Sequence, residues 1–322
     1  MAALEKIGRK LASVALGGAI VAGASVALPA RSEAAGPQFK FAMITHAQPG
    51  DTFWDIIRKG AEAAAKKDHV QLVYLANPNA AGEAQLISNV VQQKVNGIAL
   101  TLAFPDAMKG ALAQAQKAGI PIVGFNAGGD AWKKAGLLMY VGQDETIAGE
   151  AVGERLNAEG AKNAVCVDQQ QGAVQLEARC NGIKKTFKGK LDVLYVNGYD
   201  MAGAQARITA KLQQDPKIDY IVTLGAPFAP VALSAVAGAH SHAKVGTFDM
   251  SPVAINLIAQ GKLQWAVDQQ PYVEGYEAVD LLWLYLTNGD TVGGGGPVLT
   301  GPSFVTKANA AQVAKFAKRG TR

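Results

Sequence analysis

Two large aromatic side chains follow a carboxylate in HAQPGDTFWDIIRKGAEAAA, which spans residues 46–65. Asp51 precedes Phe53 and Trp54, and a helical pattern begins at these aromatics. The apolar, strand-like FKFAMIT ends at Thr45, and the chain turns between the two. A carboxylate can accept hydrogen bonds from ligand hydroxyls, and flat rings can cover the apolar C–H faces of a ligand. Taken singly, each aromatic could instead belong to the hydrophobic core.

Two further polar side chains end apolar, strand-like segments. Asn126 ends PIVGFN, and Asp249 ends AKVGTFD. In open α/β sheets, ligands bind beyond the carboxyl ends of parallel strands, so both side chains lie where a ligand site is expected. The alternative for Asp249 is a cap on the helix that begins near Ser251.

The elements that position these residues alternate along the chain after residue 37. Apolar segments such as VQLVYLA and GIALTL are separated by amphipathic helical patterns such as AGEAQLISNVVQQKV. This alternation predicts βαβ units and parallel sheets covered by helices on both faces. The pattern weakens in NAGGDAWKKAGLLMYVGQDE and then resumes, and there are too many units for one sheet. We therefore predict an α/β fold with two similar Rossmann-like lobes.

The first 34 residues have the composition of a secretory signal peptide. A basic start precedes the apolar LASVALGGAIVAGASVAL and the small residues around a cleavage point after Ala34. The alternative is a membrane anchor, since the apolar stretch is long enough to span. Cleavage after Ala34 removes four basic and two acidic side chains, so the formal charge falls from +5 to +3. That charge is too small to indicate nucleic-acid binding.

Five segments, in their order and spacing, resemble a known family. They are GDTFWDIIRKGAEAAA, AQKAGIPIVGFNAGG, YVGQDETIAGEAVGE, LEARCNGIKKTF and VGTFDMSPVAINLIAQGKLQWAVDQQPYVEGYEAV. Together they resemble the periplasmic sugar-binding proteins of ABC importers, of the ribose- and galactose-binding type. The resemblance implies a type I periplasmic binding fold, with a three-strand hinge and a ligand cleft between the lobes. It places the N-terminal lobe at 37–142 plus 270–298 and the C-terminal lobe at 143–269 plus 299–322.

The resemblance also implies a ligand-binding set drawn from both lobes. The set is Asp51, Phe53, Trp54, Asn126, Arg179, Tyr199, Asp249 and Gln269. In the family the arginine forks onto ligand hydroxyls, the tyrosine lies near the aromatic position of the second lobe, and the last two residues close the site. Without the family, Arg179 would be interpreted as a solvated helix residue.

The sequence departs from the family pattern at two strand ends. Ala127 stands where ribose binders carry an arginine, and Gly225 and Ala226 replace the usual asparagine of the second lobe. These two polar contacts are either missing or supplied by Gln169, Gln170 or water, so the ligand need not be ribose or galactose. No acidic calcium loop is recognisable either, and we expect no metal.

These features predict an extracytoplasmic solute-binding protein, located in the periplasm and monomeric. It would capture a small sugar or polyol and deliver it to ABC permease subunits in the inner membrane, with no catalytic residue and no cofactor. The alternatives are a secreted carbohydrate-processing enzyme and a sugar sensor for chemotaxis or signalling. An enzyme would need two closely placed carboxylates, and the separation of Asp51 from Asp249 cannot be derived from sequence. His240 and His242 fit a surface turn better than a metal site.

The sequence contains two cysteines. Cys166 lies in a predicted strand of the second lobe, and Cys180 lies on the helix that follows. An oxidising compartment permits a disulfide between such neighbours, and the alternative is a pair of buried free thiols.

Overall fold

The computed structural model describes residues 38–322, in which twelve strands form two six-stranded sheets. The predicted signal peptide, residues 1–34, lies outside the described residues. Each sheet and the helices that pack on it form one lobe. The α/β fold with two Rossmann-like lobes is confirmed.

The first lobe contains an all-parallel sheet with the spatial order β11-β5-β4-β3-β1-β2. Its strands are β1 (Phe39–Thr45), β2 (Val70–Ala76), β3 (Gly97–Leu100), β4 (Ile122–Phe125), β5 (Met139–Gly142) and β11 (Val298–Leu299). Its helices are α1 (Phe53–Lys67), α2 (Ala80–Gln92), α3 (Pro105–Lys117) and α9 (Pro271–Asn288). A 3₁₀ turn (Gly293–Gly295) lies between α9 and β11.

The second lobe repeats this arrangement with the order β12-β10-β9-β8-β6-β7. Its strands are β6 (Asn163–Asp168), β7 (Lys190–Tyr195), β8 (Tyr220–Thr223), β9 (Lys244–Phe248), β10 (Trp265–Asp268) and β12 (Ser303–Thr306). Its helices are α4 (Glu145–Ala158), α5 (Val174–Thr186), α6 (Met201–Gln214), α7 (Phe228–Gly238), α8 (Pro252–Ala259) and α10 (Ala310–Ala317). The strand β12 pairs antiparallel with β10, which is the exception to the parallel pairing.

Alternate residues of a central strand enter different hydrophobic clusters. In β1, Phe41 and Met43 pack with α1 and α9, while Ala42 and Ile44 pack with α2 and α3. All four side chains have 0% exposure. A strand segment that is covered by helices on both faces is apolar at successive positions, which explains the hydrophobic FAMI within FKFAMIT.

The chain passes between the two sheets three times: after β5, after β10 and between β11 and β12. Because the strands run parallel, their carboxyl ends lie at one edge of each sheet, and these edges are where polar residues follow the strands. Within residues 38–322, no helix is long and apolar enough to cross a membrane. The same residues hold no group of three or more His, Cys, Asp or Glu side chains arranged for a metal ion.

Candidate ligand-binding site

A cavity of about 370 Å³ lies between the lobes, at the carboxyl ends of the strands. This volume is at the lower end of the range for small-molecule sites, so the cavity suits a small ligand. The structure brings all of the ligand-binding residues expected from sequence to its wall. They are Asp51, Phe53, Trp54, Asn126, Arg179, Tyr199, Asp249 and Gln269.

Asn126 and Asp249 are positioned by the same backbone conformation. Each directly follows a strand, β4 or β9, and each has a left-handed φ of 63°. Asparagine and aspartate tolerate this region better than most residues do. The Asn126 N–H donates to Val141 O at 3.1 Å, and the Asp249 N–H donates to Val267 O at 2.8 Å. Each polar side chain is thereby turned out of its sheet at the cavity edge.

The amide of Gln269 connects these two side chains. Its Oε1 accepts a hydrogen bond from Asn126 Nδ2 at 3.1 Å, and its Nε2 donates to Asp249 Oδ1 at 2.5 Å. Asn126 Nδ2 also donates to Glu274 Oε2 at 3.0 Å. Both amide protons of Asn126 are therefore engaged, and its carbonyl oxygen is the group it can offer a ligand.

Arg179 is 3% exposed, and its planar fork faces a carboxylate of the same lobe. Nε and Nη2 donate to Glu145 at 2.6 and 2.8 Å, and Nη1 donates to Leu224 O at 2.9 Å and to Asp249 Oδ2 at 3.4 Å. Burial alone lowers the pKa of Arg179, but Glu145 and Asp249 raise it above its usual value. The fork expected on ligand hydroxyls is thus taken by Glu145, which leaves one Nη2 proton for the cavity.

Close packing of α4 against α5 brings Glu145 to Arg179. A Cβ on Gly149 would lie 2.3 Å from the carbonyl oxygen of Arg179, and a Cβ on Gly182 would lie 2.4 Å from that of Thr146. Only glycine permits this approach of the two helix backbones. The ion pair at the cavity wall therefore depends on glycines that lie outside the cavity.

The two cysteines form a disulfide in the structure. Cys166 lies on β6 and Cys180 on α5, with their Cα atoms 5.9 Å apart. Cys180 directly follows Arg179 in the chain. The disulfide therefore attaches the helix that carries the buried arginine to β6, an interior strand of the second sheet.

Asp51 lies in the first loop, where its Oδ1 accepts a hydrogen bond from the Phe53 N–H at 3.1 Å. Burial raises the pKa of Asp51 to about 6; the Phe53 N–H opposes this rise, and the negative charge of Asp249 adds to it. Two carboxylates from different lobes therefore act on each other across the cavity. Ligand hydroxyls that donate to them would relieve part of this cost.

Two aromatic residues lie both in the hydrophobic core and at the cavity wall. Phe53 and Trp54 are 5% and 8% exposed, belong to the core of the first lobe and also line the cavity. Their rings meet edge to face, and Trp54 meets the His46 ring in the same way, with centroids 4.7 Å apart. Tyr199, at 59% exposure, lies at the cavity rim. Phe228, the first residue of α7, adds a buried aromatic surface from the second lobe.

The model of the periplasmic binding protein domain matches residues 41–291 of this chain. The chain belongs to the periplasmic binding protein family. Proteins of this family bind small solutes outside the cytoplasm for transport. The two-lobe architecture and the inter-lobe cavity are the features that this periplasmic binding protein shares with its relatives.

Two solved structures illustrate the similarity. A carbohydrate transporter from Acidothermus cellulolyticus, in complex with myo-inositol, is 60% identical, with a TM-score of 0.87 over 89% of this chain and 100% of that chain. An ABC transporter solute-binding protein from Agrobacterium vitis with bound D-fucose is 26% identical, with a TM-score of 0.75 over 86% and 98% of the chains.

A curated relative lies further away. The xylose/arabinose-binding protein XylF of Sulfolobus acidocaldarius is 25% identical over an alignment of 237 residues that covers 68% of this chain. The match spans 58% of the length of that relative.

The lobes of this periplasmic binding protein contact each other outside the three crossings. Gln170 Nε2 donates to Pro78 O at 3.2 Å, and the Val174 N–H donates to Ala103 O at 3.2 Å. In both pairs one residue belongs to the first lobe and the other to the second. The structure therefore holds the cavity in a closed form.

Gln169 and Phe228 line the cavity but were not in the ligand-binding set expected from sequence. Gln169 was considered there only as a substitute contact. Its side chain lies beside Gly225, where an added Cβ would be 3.0 Å from Gln169 Nε2. The amide thus occupies space that a larger strand-end residue would need. Gln169 Oε1 is buried and has no hydrogen-bond partner among the described residues. Phe228 follows a strand end in TLGAPFAP, so it could have been found by the pattern that indicated Phe53.

Proposed function

We propose that this chain is the solute-binding protein of an ABC importer and that it captures myo-inositol or a closely related cyclitol between its lobes. The observation that carries the proposal is the similarity to the Acidothermus cellulolyticus structure, which contains myo-inositol and is 60% identical over the whole of that chain. The other relatives described above, which carry D-fucose or are named for pentoses, are much less similar.

The hydrogen-bonding groups of the cavity favour a ligand with many hydroxyl donors. Asp51 and Asp249 are carboxylates, Asn126 has its carbonyl oxygen left over, and Arg179 has one proton left over. Acceptors therefore outnumber free donors at these positions. Every ring substituent of a cyclitol is a hydroxyl that can donate. The ring oxygen of an aldopyranose can only accept, and it would compete for the few donors.

The lining of the cavity is consistent with the same ligand class. Trp54 and Phe228 supply apolar surface from opposite lobes, and carboxylates and amides line the same cavity. A cyclohexane ring has two C–H faces and a rim of hydroxyls, so its faces suit aromatic walls and its rim suits the polar strand ends.

We propose binding without catalysis. A hydrolytic site would need one carboxyl group free to donate a proton and another free to attack or to activate water. Asp249 accepts hydrogen bonds from both Arg179 and Gln269, and Asp51 accepts from the Phe53 backbone. These partners favour ionised carboxylates that hold hydroxyls in place.

The cellular role follows from this proposal. Residues 1–34 are a signal peptide that is cleaved after Ala34, and the mature monomer works in the periplasm with the permease subunits of its importer. Residues 37–142 with 270–298 and residues 143–269 with 299–322 move as two lobes. A ligand that contacts both lobes stabilises the closed form, because only that form makes both sets of contacts. Intact-mass measurement of the exported protein tests the cleavage site.

A thermal-shift screen of the mature protein tests the ligand class. The panel contains myo-inositol, other inositol stereoisomers, D-glucose, D-fucose and D-arabinose. A ligand at about a hundred times its Kd stabilises the folded protein by about 2.7 kcal/mol, and we expect the largest shift with an inositol. A larger shift with an aldose, and none with any inositol, would contradict the cyclitol assignment.

A further inference from the structure

Four polar side chains form a hydrogen-bonded chain that runs from α2 of the first lobe to α5 of the second. Glu83 Oε1 and Thr101 Oγ1 are 2.7 Å apart, and Thr101 Oγ1 and His46 Nδ1 are 2.8 Å apart. His46 Nε2 lies 3.1 Å from the amide nitrogen of Gln175. The last contact crosses between the lobes, so the chain exists as a whole only while the lobes are closed.

The chain is buried along its whole length. Glu83 and Thr101 have 0% exposure, Gln175 has 5% and His46 has 6%. His46 and Gln175 line the cavity, whereas Glu83 and Thr101 lie behind them. Since His46 also packs edge to face against Trp54, the orientation of its ring affects the aromatic wall of the cavity.

One arrangement of protons satisfies the chain when Glu83 is ionised. The Thr101 hydroxyl then donates to Glu83, so its oxygen must accept from both the His46 backbone N–H, at 3.1 Å, and His46 Nδ1–H. His46 Nε2 is left as an acceptor for the amide protons of Gln175. In this arrangement Gln175 Oε1 is buried without a partner among the described residues.

The direction of hydrogen-bond donation along these side chains reverses when Glu83 carries a proton. Glu83 Oε2 is buried and has no partner among residues 38–322, so the proton is best placed on Oε1, from which it donates to Thr101. The Thr101 hydroxyl then donates to His46 Nδ1, and the ring carries its proton on Nε2. A half-turn of the Gln175 amide lets its oxygen accept that proton, which gives the unpartnered oxygen a hydrogen bond.

We propose that Glu83 and Thr101 are positioning residues of the ligand cavity. The proton on Glu83 selects the tautomer of His46, and the tautomer selects which end of the Gln175 amide meets the first lobe. The lobes stay connected in both states. The free end of the Gln175 amide is an NH₂ donor in one state and a carbonyl acceptor in the other.

The surroundings of Glu83 and His46 place the change of the His46 tautomer in an accessible pH range. Burial raises the pKa of Glu83 to about 8, although the Thr101 hydroxyl opposes the rise. Burial and, as the smaller cause, the positive charge of Arg179 on α5 together lower the pKa of His46 to about 3. Asp51, in the first loop, is a charged group of the cavity that His46 lines. His46 is therefore neutral near pH 7 and changes only its tautomer when Glu83 loses its proton.

The tautomer of His46 can be measured directly by nitrogen-15 NMR, because protonated and bare ring nitrogens have different chemical shifts. His69, His240 and His242 are exposed, so their substitution leaves His46 as the histidine signal. His69→Asn and His240→Asn suit the left-handed φ of 52° at both positions, and His242→Gln completes the background. The experiment uses the mature protein in this background without ligand, from pH 6 to 10. Glu83, Thr101 and His46 all belong to the first lobe, so their hydrogen bonds do not require the lobes to be closed.

We expect the proton of His46 to lie on Nε2 at pH 6 and to move to Nδ1 with a midpoint near pH 8. Glu83→Gln removes the titrating group, so His46 should keep one tautomer over the whole range. Thr101→Ser keeps the hydroxyl and should retain the change. A single tautomer from pH 6 to 10 in the parent, or a change that persists in Glu83→Gln, would overturn the proposal. Since no ligand is present, these outcomes are independent of the ligand class proposed above.

Discussion

Asn126 and Asp249 occupy equivalent positions in the two lobes, and one side chain hydrogen-bonds to both. Each follows a parallel strand, β4 or β9, with a φ of 63°, and Gln269 lies between them. Gln269 belongs to the segment that follows β10, where the chain passes from the second sheet to α9. The cavity-lining polar side chains of the two lobes are therefore connected where the chain crosses between the lobes.

Removal of the connecting amide should weaken ligand binding. Gln269→Ala leaves protons of Asn126 and an oxygen of Asp249 without their partner in a buried setting, which costs about 1–3 kcal/mol. We expect the Kd for myo-inositol to rise by roughly ten- to a hundredfold in calorimetric titrations. Gln260→Ala, at the exposed end of α8, is the matched control and should bind as the parent does. Equal affinity of both variants would show that Gln269 does not order the site.

The ion pair between Arg179 and Glu145 should dominate the stability of the second lobe. Arg179→Ala leaves the Glu145 carboxylate buried without its partner, and loss of one member of a buried pair costs about 3–5 kcal/mol. We expect a decrease of this size in the free energy of unfolding, measured with urea and followed by circular dichroism.

A second substitution separates the charge effect from lost packing. Arg179→Met with Glu145→Gln removes both charges and keeps most of the side-chain volume, so it should recover much of the stability that Arg179→Ala loses. If Arg179→Ala alone unfolds at the same urea concentration as the parent, the ion pair does not contribute to the stability of the second lobe.

Ligand binding should depend on pH through Asp51. Ligand hydroxyls donate to the ionised carboxylate, so the ligand lowers a pKa that stands at about 6 in the free protein. Affinity is then full above pH 6 and falls as Asp51 gains a proton below it. Between pH 7 and pH 5 we expect the Kd for myo-inositol to rise about tenfold, measured by calorimetry.

Asp51→Asn is the control for this pH dependence. The amide has nearly the same shape but does not ionise, so the variant should bind more weakly at pH 7. Burial also raises the pKa of Asp249, so Asp249 can contribute to the pH dependence of the Kd. Asp51→Asn removes only the part of that pH dependence that comes from Asp51. A variant whose Kd changes with pH as steeply as that of the parent would assign the effect to another group.

The long, continuous apolar segments were enough to predict the repeated βαβ units. FKFAMIT coincides with β1, which is buried on both faces from Phe41 to Thr45, and VQLVYLA coincides with β2, an edge strand that is only partly buried. The short strands were harder to recognise. β5 has four residues and β11 has two, and each is defined by its neighbours in the sheet and not by a pattern of its own.

The site was predictable where it depends on strand ends and not where it depends on contacts between helices. Asn126 and Asp249 are identifiable as polar residues after apolar strands. The partner of Arg179 is not, because Glu145 reaches it only through the glycine contacts between α4 and α5. The burial of Glu83 is equally unpredictable from sequence, since a carboxylate in the first turn of a helix is normally exposed.

The disulfide should stabilise the second lobe. Cys166 and Cys180 are 14 residues apart, and closure of a loop of about this length stabilises a protein by about 3 kcal/mol. Cys166→Ala with Cys180→Ala should lower the free energy of unfolding by about that amount. A reducing agent should lower the unfolding midpoint of the parent and leave that of the double variant unchanged. Two free thiols in the unreduced, unfolded parent would contradict the pairing.

Calorimetric titration of the mature protein with myo-inositol tests the central claim most directly. The account predicts binding of about one ligand per chain, with a Kd near 1 μM or below, which corresponds to about −8 kcal/mol or stronger. Asp249→Asn should weaken this binding by about tenfold or more while circular dichroism shows an intact fold, because the carboxylate that receives ligand hydroxyls is lost. A folded parent protein that gives no heat with millimolar myo-inositol, yet is saturated by an aldose, would contradict the account.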